Sequence, residues 1–72
     1  MTLEAIIRIE SENRREDGSF GIKACKEQIE WEVEFYKKSL FQLLEEYVAN
    51  AKENVFFNRA MVLACWELIN ER

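Results

Sequence analysis

Cys25 and Cys65 are the strongest nucleophiles in a chain of 72 residues that contains no histidine. A catalytic thiol needs a base beside it, usually an imidazole, to become a thiolate. Cations also lower a thiol pKa. Cys25 follows Lys23 and precedes Lys26, so it is the better reactive-thiol candidate, whereas Cys65 sits inside an apolar run. The simpler expectation for both is a reduced thiol acting as a small apolar side chain. A secreted domain of this length built on disulfides would carry four or more cysteines. Two cysteines 40 residues apart match no zinc spacing. The two glycines, Gly18 and Gly21, make no phosphate loop. Glutamates are plentiful but lie in polar rows, where nothing tunes their pKa. The expectation is a chain that is not an enzyme, with no catalytic residue, no metal and no cofactor.

Two other features could do chemistry of recognition. The first is Glu30, Glu32 and Glu34, which alternate with Ile29, Trp31, Val33 and Phe35. On a strand, alternate side chains share a face about 6.7 Å apart. That row could imitate the phosphates of a nucleic-acid backbone and occupy a basic groove. A solvated strand face is the plainer meaning of the same residues. The second feature is the run from Val55 to Ile69, apolar except at Asn58, Arg59 and Glu67. As a helix it carries one stripe of Phe57, Met61, Ala64 and Leu68 and another of Val55, Val62, Trp66 and Ile69. A helix apolar on most sides is buried on most sides. A chain this short buries only roughly 60% of the surface its unfolded form exposes. One hairpin and one amphipathic helix can cover only one side of this helix, so another chain is expected to cover the rest, with Phe57, Met61, Val62, Trp66 and Ile69 as the interface.

Periodicity indicates the elements that must position these groups. Leu3, Ala5, Ile7 and Ile9 alternate with polar residues, broken only by Ile6, which reads as a half-buried strand. Gln28 to Tyr36 alternates more cleanly and is rich in strand formers. Asp17-Gly18 between them is a hairpin signal. A fold-back around Gly18 opposes Ile7 to Ile29, Ala5 to Trp31 and Leu3 to Val33, which brings apolar residues together on one face. Helices compete for the same residues. Thr2 can cap one, and Ile22, Cys25, Ile29, Val33, Tyr36 and Leu40 recur every three or four positions. From Ser39 onward the pattern is helical. Ser39 with Gln42 resembles a capping box. Leu40, Leu43, Leu44, Tyr47, Val48 and Ala51 form a buried stripe, and Asn54 can cap a last helix to about residue 70.

The expected fold is α+β: a single domain, residues 1–72, with a β-hairpin region over 2–36 packed on two helices over 39–71. The alternative is an all-α three-helix bundle with helices near 3–16, 22–52 and 55–71.

Net charge is −4, from 14 acidic and 10 basic side chains. This disfavours direct nucleic-acid binding. Arg14-Arg15 and Lys37-Lys38 sit among acids and read as solvated ends of elements. No apolar run reaches the roughly 20 residues that span a membrane, and the N-terminus lacks a signal-peptide pattern. A cytoplasmic location is expected, without membrane or small-molecule substrate. Size, acidity and lack of catalytic groups are similar to those of small phage and mobile-element proteins that block host machinery. The functional expectation is a small acidic interaction module, homodimeric, that regulates or inhibits a larger intracellular protein. The alternative is a nucleic-acid mimic using the acidic strand face.

Overall fold

The computed structural model describes residues 2–51 and 57–72, and side chains for 2–51 and 59–72. Among the described residues four helices follow one another: α1 (Leu3–Glu12), α2 (Ile22–Tyr36), α3 (Leu40–Ala51) and α4 (Phe57–Glu71). No strand occurs among the described residues. The fold is all-α, so the α+β expectation and its β-hairpin over 2–36 are overturned. The three-helix alternative has the right class, but its middle helix is divided in two.

The reason lies in which apolar residues the elements bury. In α1, Ile6 is 1% exposed. Ile6 is the residue that broke the alternation, and Leu3 and Ile7 pack beside it against the core. Thr2 starts the helix, its hydroxyl accepting from the Ala5 N–H at 3.1 Å, and Glu4 stands in the first turn, where the helix dipole favours an anion.

In α2, Ile22, Cys25 and Ile29 are buried and Val33 is partly buried. That is the three-and-four spacing of a helix. Trp31 and Phe35, expected to share a strand face with Ile29 and Val33, point the other way. The apparent period of two arose from two helical stripes superposed, one facing the core and one facing out.

The break between α2 and α3 falls at Lys37, which adopts the left-handed conformation (φ 57°, ψ 38°). Such a residue ends a helix. Ser39 then starts α3, its Oγ accepting from the Gln42 N–H at 3.1 Å. The expected half of the capping motif is made. The expected cap at Asn54 lies outside the described residues.

Gly18 and Gly21 shape the α1–α2 connection. Gly18 has φ 96°, which side-chain-bearing residues rarely adopt. Gly21 precedes α2 with no side-chain cap. Instead the loop folds back on the helix start. The Ile22 N–H donates to the Arg15 carbonyl at 2.7 Å and the Lys23 N–H to the Glu16 carbonyl at 3.3 Å. Orphan donors of the first turn are thereby satisfied. The backbones come so close that a Cβ on Gly21 would lie 2.6 Å from the Asp17 carbonyl oxygen.

Helix α4 is the hub. It packs against α1, α2 and α3, and its residues Ala60 to Cys65 and Leu68 are all buried. One hairpin and one helix would leave a side of α4 for a second chain to cover. Three helices of the same chain enclose it instead. Ion pairs add ties along its edge. Glu67 pairs with Arg14 of the loop and, at 3.3 Å, with Lys26 of α2. Lys26 also reaches Glu71 at 2.5 Å, and Arg72 pairs with Glu30.

Candidate functional site

The expected interface on α4 does not form one surface. Met61 is 1% exposed and Val62 is 0% exposed. Ile69 is partly buried against the core. Trp66 alone of the four described residues is open, at 36%. The side chain of Phe57 lies outside the described residues.

The acidic row is dispersed by the helix. Residues two apart on a helix differ by about 200°, so Glu30 and Glu34 share a side while Glu32 faces elsewhere. Glu30 pairs with Arg72. Glu32 is partly buried and accepts from the Gln28 side-chain amide at 3.3 Å. The phosphate-like spacing required a strand, and α2 is not one.

The surface that does form joins Trp31 and Phe35, expected on the apolar face of a strand, to Tyr36, expected in the helical stripe. Trp31, Phe35 and Tyr36 are 50%, 63% and 52% exposed. At about 100° per residue, Trp31 and Phe35 fall opposite the buried stripe of Ile22, Cys25 and Ile29. Being four residues apart, they meet on the helix surface. Their rings stack with centroids 4.7 Å apart and planes 10° from parallel. Tyr36 completes the cluster edge-on, 5.8 Å from Trp31 and 5.0 Å from Phe35. The Lys38 ammonium lies 5.6 Å from the Tyr36 ring centroid and is held by Glu46 at 2.8 Å. Those contacts are made within the chain, so the rings are ordered against one another while their outer faces meet solvent.

Charges frame this cluster asymmetrically. Glu27, one turn before Trp31, is exposed, as are Glu30 and Glu34 on one flank. Lys37, one residue past the helix, is also exposed. Along the outer face the order is acid, aromatic, aromatic, base. A signal for this surface was present in the sequence. Once the core stripe of α2 is accounted for, Trp31 and Phe35 remain as apolar residues without a place inside.

The thiols have the opposite character. Cys25 and Cys65 are both buried and unbridged. Burial, with Glu10 nearby, pushes the Cys25 thiol up. Burial, with Glu32 nearby, pushes Cys65 up to about 11, and its thiol lies 3.2 Å from the Leu40 carbonyl as a donor. Neither has the cationic, accessible setting of a reactive cysteine. Among the described residues no group of His, Cys, Asp or Glu side chains could hold a metal ion. No helix among them is long and apolar enough to cross a membrane. Comparison with protein-family models, with curated proteins and with solved structures finds no match.

Proposed function

We propose that this chain is a protein–protein interaction module that self-associates through the outer face of α2. The observation that carries the reading is the stacked cluster of Trp31, Phe35 and Tyr36, each at least half exposed. Aromatic residues bury roughly 150–250 Å² each when covered, so the three present about 300 Å² of apolar surface. That is as much as the largest patch on many monomers, and such patches mark interfaces. Buried aromatics are also the usual energetic anchors of an interface.

A second copy fits the charge order of the face. Two α2 helices packed antiparallel about a two-fold axis bring Trp31 of one against Phe35 of the other, twice. The same arrangement brings Glu27 beside the Lys37 region of the second copy at both ends. A two-fold contact of this kind is self-complementary. A stable dimer buries roughly 800 Å² per partner. The cluster supplies its centre and the polar rim the remainder, which suits a reversible dimer.

A second reading keeps the same face but exchanges the partner. The exposed flank of Glu30 and Glu34 favours a larger protein with an apolar groove rimmed by lysine or arginine, which the chain would regulate or inhibit. Analytical ultracentrifugation from low to high micromolar concentration separates the two. Self-association predicts a concentration-dependent dimer that the double substitution Trp31→Ser, Phe35→Ser abolishes. Thermal stability should stay nearly unchanged, because both positions face away from the core. Trp66→Ser should leave the dimer intact. A wild-type chain that stays monomeric throughout, or a double variant that still dimerises, rejects the homodimer.

A further inference from the structure

A cavity of about 540 Å³ opens between the C-terminal end of α1, the α1–α2 loop and the first turns of α4. It lies apart from the α2 aromatic cluster, and none of its lining residues belongs to that cluster. Its size falls in the range of small-molecule sites. Ile9, Ile22 and Ala60 form an apolar floor and Phe20 an aromatic wall. Among the described residues the polar lining comprises three guanidinium groups, Arg14, Arg15 and Arg59, the Asn13 amide and one carboxylate, Glu10. A chain of net charge −4 thus gathers arginines at this cavity.

The three arginines are not equivalent. Arg14 is committed to Glu16 and Glu67, so it stiffens the wall. Arg15 makes no ion pair among the described residues and is exposed. Arg59 is partly buried, and its Nε–H is fully covered yet has no hydrogen-bond acceptor among the described residues. Arginine stays charged in proteins, so such a donor cannot be relieved by losing its proton. A covered donor of this kind is costly until an acceptor arrives. The planar guanidinium fork matches a carboxylate or phosphate.

From these features we infer that the cavity binds a small organic oxyanion. Its carboxylate or phosphate head takes hydrogen bonds from Arg59 and Arg15, and its apolar body rests on the Ile9–Ile22 floor. The segment's sequence, Arg14-Arg15 among acids, reads as a solvated loop end. Only the return of the loop against α4 brings it to Arg59.

Phenyl phosphate and 3-phenylpropionate serve as probes for the two head groups, titrated into the ¹⁵N-labelled full chain by NMR. The expected result is saturable shifts at the Arg15, Phe20 and Ala60 amides. A downfield move of the Arg59 Nε–H resonance should accompany them. Binding by either probe supports the site, and the tighter one identifies the head group. Arg59→Met, which keeps the apolar stem, should weaken binding about tenfold, as expected for losing a hydrogen bond to a charge. Arg15→Ala, an exposed position that should not disturb folding, should weaken it as well. The Trp31→Ser, Phe35→Ser variant should bind normally, so failure of the dimer reading and failure of this site are distinguishable. No saturable shift by about 10 mM of either probe would overturn the inference. Unchanged affinity in both arginine variants, or inorganic phosphate binding as tightly as phenyl phosphate, would do the same.

Discussion

Tyr47→Phe should stabilise this protein, and more so at alkaline pH. Tyr47 is 6% exposed on α3, and its buried hydroxyl meets no acceptor in good hydrogen-bond geometry among the described residues, although Glu32 is near enough to act on it. A buried polar group left unpaired costs about 1–3 kcal/mol. Removing the oxygen recovers that cost and loses a little packing, for a net gain of about 1 kcal/mol at neutral pH. In urea, where a chain of this size loses about 1 kcal/mol per molar of denaturant, the unfolding midpoint should rise by about 1 M. The pH dependence is an independent check. Burial, with Glu32 adding to it, raises the Tyr47 pKa above the ordinary value of 10.0. Above pH 10.0 the unfolded chain releases the phenolic proton while the native chain keeps it. The unfolded state then binds fewer protons, so wild-type stability falls as pH rises. The loss amounts to about 1.4 kcal/mol one pH unit above the unfolded value. Phenylalanine has nothing to titrate, so its advantage over wild type should widen by that amount between pH 9 and about 11. Comparing the two proteins cancels the cysteine and lysine contributions common to both. Urea melts followed by circular dichroism at the two pH values measure it. A Phe variant less stable than wild type would mean that the hydroxyl donates a hydrogen bond, with Glu32 the first candidate acceptor. An advantage that does not change with pH would also refute the reasoning.

Two further outcomes follow from the loop and the thiols. Gly21→Ala should cost about 1–3 kcal/mol, because the new methyl would lie 2.6 Å from the Asp17 carbonyl oxygen and 2.7 Å from that of Glu16. Gly18→Ala, with open space but φ 96°, should cost about 1 kcal/mol; equal losses at the two sites in urea melts would count against the close-approach account. Cys25 and Cys65, both buried with raised thiol pKa values, should react with Ellman's reagent at pH 8 only as fast as the chain opens. Rapid titration of one thiol in the native protein would reverse that assignment.

The sequence by itself determined the helical C-terminal half, its buried stripes and the cap at Ser39. Those features rest on local spacing and on a side chain bonding its own backbone, both readable within a few residues. It also carried both stripes of α2, but not which of them faced inward. Ile29 and Val33 belong to a period of two with Trp31 and Phe35 and to a period of four with Ile22 and Cys25. Only the packing of α2 on α4 selects the second. That choice turned Trp31 and Phe35 from core residues into an exposed face and scattered Glu30, Glu32 and Glu34 around a helix. Tertiary structure alone also buried Met61 and Val62, since three helices of one chain enclose α4. It likewise brought Arg15 and Arg59, 44 positions apart, to one cavity. Distance along the chain says nothing about that meeting; it exists because the α1–α2 loop folds back, with the Arg15 and Glu16 carbonyls accepting from the first turn of α2.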